Sequence, residues 1–294
     1  MHRITRPTPA RPTPASPAHP TSLRPVRQTR SVRPARRTRL GPSTAILTLA
    51  LTSSFLLPAL APTQAEAQNL PAAAELIDRH LDAIGGAEQV SERMASSARG
   101  TFSMAAAGLQ GDMEVHSSAQ GQMLVRITIP GVGEILSGYD GNVAWDIDPF
   151  QGPRVLSGAE AEQRAMQVDL GYYLRSAETF PTRETVERTE MGGEACYRVR
   201  LVTASGSESF DCYSAETGRM VATEMTVETM GGPVNSLTLF RDYQDFGGMM
   251  VATRTEQTVM GMQQVLTIDE LEFGEPDASL FELPAPIRTL VEGN

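Results

Sequence analysis

Beyond Gly100 the chain alternates apolar and polar residues with a period of two. Phe102, Met104 and Ala106 alternate with Thr101 and Ser103, and Met113 and Val115 with Glu114 and His116. Met123, Val125, Ile127 and Ile129 alternate with Leu124, Arg126 and Thr128. Val143, Trp145 and Ile147 alternate with Ala144, Asp146 and Asp148. This is how an antiparallel sheet reads when one side is covered and the other is wet. Residues 139–142, Tyr-Asp-Gly-Asn, form a turn signal between two such strands.

The densest part of this pattern is 218–273, which reads as four consecutive strands and nearly repeats itself. Residues 218–231 laid over 248–261 agree at seven of fourteen positions, and each copy ends in Gly. A Gly there suits a hairpin turn, so this stretch frames an antiparallel meander to which the rest of the chain adds strands. Residues 185–191, 194–203 and 208–214 read as further strands. Residues 277–284 read as an irregular tail tied down by Phe281.

Two segments have helical spacing instead. In 71–84, Leu76, Ile77, Leu81 and Ile84 fall on one stripe, and Gly85-Gly86 ends the segment. His80 flanks that stripe as a partly buried helix residue. In 157–167, Ser157 with Glu160 makes a capping-box start, so a helix is expected to lie over a sheet face together with the Tyr172-Tyr173-Leu174 stretch.

The first forty residues differ in kind, with ten Arg and many Pro and Thr. An apolar run follows at 45–61, interrupted by Pro58, and then Ala65-Glu66-Ala67. The order is that of a signal peptide cut after Ala67, and the run is short for a span needing about twenty residues. An uncleaved N-terminal anchor is the alternative. Arg36-Arg37 before the run fits twin-arginine export. No Cys stands at the cut, so a soluble periplasmic protein without a lipid anchor is expected, with residues 68–294 as one domain.

The cut changes the charge. Ten of the 25 basic and one of the 35 acidic residues precede it, leaving 15 Arg against 34 acidic groups, a net −19. That balance argues against nucleic acid and against docking on anionic lipid. Fourteen Met are present, many for this length. Met suits surfaces that fit varied apolar partners.

Chemistry-bearing motifs are scarce. A two-residue turn at Ser205-Gly206 sets Val199 opposite Cys212 and leaves Cys196 on the other face, so that register does not pair the two cysteines. A one-residue slip would bring both to one face, with Phe210 set against Arg200. Asp140, Asp146 and Asp148 lack the order of a calcium loop and read as a turn residue and a solvated strand face. After the cut only His80 and His116 remain. The sequence has no His-Glu-x-x-His, Gly-x-Ser-x-Gly, phosphate loop or Cys-x-x-Cys, so no metal, cofactor or catalytic residue is expected.

With these elements in order, the chain resembles the LolA/LolB-like periplasmic lipoprotein-carrier superfamily. The matching features are the helix and Gly-Gly of 77–86, Gly-Tyr-Asp-Gly-Asn-Val-Ala-Trp at 138–145 and Glu-Thr-Gly at 216–218. Asp-Tyr-Gln-Asp-Phe-Gly-Gly at 242–248, and 268–273 with Phe-Glu-Leu-Pro at 281–284, complete the set. The resemblance implies a mainly β fold, an incomplete antiparallel barrel of about eleven strands with helices over its open side. It also implies a cavity for acyl chains in transit to the outer membrane, and no cofactor. The cavity would be Met- and Val-rich, and the family's lid-locking arginine has no motif here.

The expectation is a non-enzymatic carrier of a lipid or lipoprotein acyl chain, dealing with a donor or acceptor at the inner or outer membrane. Met104, Met113, Met123, Val125, Ile127, Trp145, Val199, Leu201, Leu237 and Leu239 are the lining residues chosen by alternation. Alternation leaves open which face is concave. A structural or protein-interaction module with a filled core is the alternative, and an enzyme assembled from distant side chains is a third.

Overall fold

The computed structural model describes residues 70–293 apart from 170 and 230. The basic leader, its apolar run and the cut after Ala67 lie outside the described residues. Alternating segments become strands because each can bury one face. The first six are β1 (Ser96–Met104), β2 (Leu109–Ser117), β3 (Met123–Ile129), β4 (Gly133–Tyr139), β5 (Ala144–Asp148) and β6 (Gly152–Val155). Seven more follow: β7 (Thr182–Met191), β8 (Glu194–Val202), β9 (Glu208–Ser214), β10 (Met220–Val227), β11 (Val234–Phe246), β12 (Met249–Val259) and β13 (Met262–Phe273).

All thirteen join one antiparallel sheet, where about eleven strands are expected. The order is β6-β5-β4-β3-β2-β1-β13-β12-β11-β10-β9-β8-β7. Hairpins between consecutive strands account for every neighbour pair but one, the pairing of β1 with β13. The sheet stays open, with β6 and β7 as its edges, as an incomplete barrel requires. The two copies of the repeat become β10 and β12, which flank β11.

Residues 156–181 connect the two edges and carry α3 (Gly158–Val168) and α4 (Ser176–Thr179). The expected capping box at the start of α3 does not form. Ser157 makes no side-chain cap bond, and Glu160 instead accepts from Arg154 at 3.0 Å. A charged guanidinium donor outcompetes a neutral backbone donor for that carboxylate.

Helix α1 (Ala73–Ala83) lies within the expected 71–84, and the Gly-Gly that ends it leads directly into a second helix, α2 (Gly86–Glu92). Leu76 and Ile77 of α1 are each 1% exposed and pack on Val199, Leu201 and Tyr213 of β8 and β9. Burial of two such side chains contributes about 2 kcal/mol each. The tail expected at 277–284 forms a 3-10 turn (Ala278–Phe281) and is followed by helix α5 (Ala285–Glu292). Phe281 and Ile287 pack there on Leu124 and Trp145. Among the described residues no helix is long and apolar enough to cross a membrane.

The two cysteines correct the expected register. Cys196 and Cys212 form a disulfide with Cα atoms 5.5 Å apart. The β8–β9 turn has three residues rather than two, because Thr203 and Ser207 close it and Gly206 takes φ +90°. Glycine adopts that conformation without steric cost. The shift sets Arg198 opposite Cys212 and Arg200 opposite Phe210. Arg200 is accommodated beside Phe210 by donating to Glu208 at 2.6 Å, while the Arg198 guanidinium lies 3.8 Å over the Phe210 ring.

Candidate functional site

A cavity of about 640 Å³ lies between the sheet and the helices. Its volume falls in the range of about 300–1,000 Å³ usual for small-ligand sites. The floor comes from β9 to β13, and α1, α2 and α3 close it from above. Five methionines stand on the walls: Met166 of α3, Met220 and Met225 of β10, and Met249 and Met250 of β12. Both copies of the repeat therefore line it, each with its Met at the same place in the motif. Phe240, Val251 and Leu266 complete the apolar floor.

None of the ten positions chosen by alternation is among these walls. Residues directly opposite in an antiparallel pair share a face, which allows their faces to be assigned. Met104, Met113, Met123, Val125 and Ile127 share a face with Leu266, the inner face that bears the cavity. Met104, Met113 and Ile127 fill that face themselves, together with Phe102 and Ile129. Val199 and Leu201 lie opposite the cavity residues Asp211 and Ser209, but α1 covers them. Trp145, Leu237 and Leu239 point to the outer face. Trp145 packs under the C-terminal helix, and the two leucines pack around the disulfide.

One end of the cavity is polar. Asp211 is 4% exposed. Thr223 Oγ1 donates to its Oδ1 at 2.7 Å, and Tyr213 Oη donates to its Oδ2 at 3.1 Å. Burial pushes its pKa up from the ordinary carboxylate value to about 6, against the pull of those two donors. His80 lies close by, 3% exposed, its ring 4.7 Å from Tyr173 and 5.3 Å from Tyr213. Burial lowers its pKa to about 4, opposed by a hydrogen bond with the Gly218 backbone, so the ring is neutral. Its Nδ1 has no partner among the described residues. Tyr172 stacks on Tyr173 with centroids 3.9 Å apart, and burial pushes both hydroxyls well above the ordinary tyrosine range.

The remaining charge on the walls is Arg93 of α2, which donates to Gln89 and lies 5.4 Å over the Phe273 ring. The methionines and tyrosines were missed because they fall outside the clean alternation. The repeat was the available signal: Met220 and Thr223 of its first copy and Met250, Val251 and Ala252 of its second line the cavity.

Among the described residues no three His, Cys, Asp or Glu side chains come together as a metal ion would need. The three aspartates weighed for calcium are each engaged. Asp140 and Asp148 accept from backbone N–H groups of their own turns, and Asp146 binds Arg154 and Arg164.

No family model and no curated protein matches the sequence. In fold the chain is similar to solved structures of low identity. A LolA superfamily protein from Nitrosomonas europaea is 12% identical, with a TM-score of 0.48, over 73% of this chain and 99% of that one. A DUF1329 family protein from Desulfovibrio piger is 13% identical, with a TM-score of 0.46, over 72% and 98%. A domain described as an outer membrane lipoprotein-sorting protein, from Vibrio parahaemolyticus, is 10% identical, with a TM-score of 0.45, over 70% and 97%.

Proposed function

We propose that the protein is a non-enzymatic carrier that holds one lipid or lipoprotein acyl chain in the cavity between sheet and helices. The observation that carries this reading is the 640 Å³ space walled by five methionines and aliphatic side chains. Methionine side chains adapt to chains of different length and branching. Ten buried CH2 groups contribute about 8 kcal/mol before ordering costs, enough for binding without a polar motif. The signal-like leader supports a periplasmic carrier that moves its cargo toward an outer-membrane acceptor.

The test is native mass spectrometry on residues 68–294 purified from a periplasm, followed by organic extraction. A bound mass that extracts as lipid or acylated peptide is expected. Met250→Glu, which sets a charge in the apolar wall, is expected to abolish that mass while circular dichroism stays that of a β protein. A clean unliganded mass that does not shift on adding phospholipid or lipopeptide would favour a structural module.

A further inference from the structure

The cavity's polar end has a sign. Asp211 is the one acidic residue on the walls, and no Arg or His nitrogen lies within salt-bridge distance of it among the described residues. A carboxylate offers about four acceptor positions, and here each oxygen is given a single donor. Half of that capacity is unused in a buried place where leaving it empty is costly. The rings of Tyr172 and Tyr173 line the same cavity, and Tyr213 lies behind them, with His80 in edge contact with Tyr173 and tilted against Tyr213. Aromatic faces beside a carboxylate attract a cation and offer nothing to an anion.

We propose that this end receives the head group of the bound amphiphile, and that the head is a cationic amine rather than a carboxylate. An ammonium supplies three donors and a positive charge, which complete the Asp211 acceptors and lie against the tyrosine rings. An anionic head would meet an unpaired carboxylate of the same sign in a dry site. His80 on α1 does not reverse this, because its ring is neutral. The other charged wall residue, Arg93, is on α2 and is engaged by Gln89 and Phe273. The tyrosines of α3–β7, β9 and β11 keep their protons.

This inference rests on the carrier reading, and the experiment separates the two. Bound Nile red is displaced from the full chain by dodecylamine, dodecan-1-ol or dodecanoate, three probes with one chain and different heads. At about pH 7.5 the amine is expected to bind roughly tenfold or more tighter than the acid, with the alcohol between them. In Asp211→Asn the gap between amine and acid closes, while the alcohol stays within about twofold. A second arm needs no variant. At about pH 5 Asp211 takes up its proton, while His80 stays neutral and the amine keeps its charge. The amine's lead over the alcohol then shrinks. The inference is overturned if the acid binds as tightly as the amine, or if the ranking survives in Asp211→Asn. It is also overturned if the amine's lead is the same at both pH values. If no probe displaces the dye, the carrier reading falls and takes the inference with it.

Discussion

Two buried side chains at the cavity's polar end titrate in opposite senses. Folding raises Asp211 from 3.8 to about 6 and lowers His80 from 6.5 to about 4. Between roughly pH 4 and 6, unfolding releases the Asp211 proton and adds one to His80. The Asp211 contribution to stability is full below the unfolded value and is lost as pH rises toward about 6. The His80 contribution is full above the unfolded value and is lost as pH falls toward about 4. Each is worth roughly 3 kcal/mol, and they nearly cancel in the intact protein. Asp211→Asn is expected to leave a stability that rises with pH across that window, and His80→Gln one that falls. Urea midpoints at a series of pH values read the slopes, and parallel slopes for the two variants would refute the pairing. Asp211→Asn is also expected to be more stable than the parent at neutral pH, the usual relation where a charge is kept for binding. Little of this was legible beforehand. Helical spacing placed His80 beside the apolar stripe of α1, but its burial depends on Tyr173 and Tyr213, which lie far along the chain. The cysteine pairing turned on one extra residue in a turn, and a one-residue difference flips every side chain of a strand.

At the scale of elements, α3, which walls the cavity, is held in place by a cluster of ion pairs. Arg164 of α3 donates to Asp146 of β5 at 3.0 Å, and Arg154 of β6 reaches the same carboxylate at 2.9 Å. Arg154 also holds Glu160 in the first turn of α3, and Ser137 donates to Asp146. At the other side, Gln163 ties α3 to the backbone of Thr226 and Glu228. The Arg164 and Asp146 side chains are 15% and 16% exposed, so the pair is poorly screened. Asp146→Asn is expected to speed amide hydrogen exchange in α3 by about tenfold, a local loss of about 1.4 kcal/mol, with no change in β11 and β12. Unchanged exchange in α3 would show that the ion pairs do not hold it. The strands themselves were legible because period two survives in each of them. Short α2 and α5, seven and eight residues long, carry too few turns for a period to register. Alternation also identifies a face without telling which part of that face is left unfilled. Met113 and Ile127 share the inner face with the cavity yet pack against their own neighbours, while Met225 and Met250 stay half-buried on the cavity wall.

The whole molecule is two meanders joined at a single strand pair. β1 meets β13 across about 170 residues of sequence, and every other neighbour is local, so one long-range closure organises the sheet. The register shifts there between Arg99 and Gly100, and a Cβ on Gly100 would lie 1.7 Å from the Thr267 carbonyl oxygen. The seam therefore tolerates no side chain at that point. This topology makes the protein divisible. A break in the connection after α3 yields one fragment with β1–β6 and another with β7–β13, each an uninterrupted meander with one raw edge. Such edges recombine by pairing, and α1 of the first fragment adds its apolar stripe to β8 and β9 of the second. The two fragments, mixed, are expected to assemble into a heterodimer visible by size-exclusion chromatography, and Gly100→Ala to prevent it. The cavity draws walls from both, with α1 to α3 on one side and β9 to β13 on the other. Reassembly and capture of an apolar dye should then appear together, so that the split protein reports the filling of its own cavity.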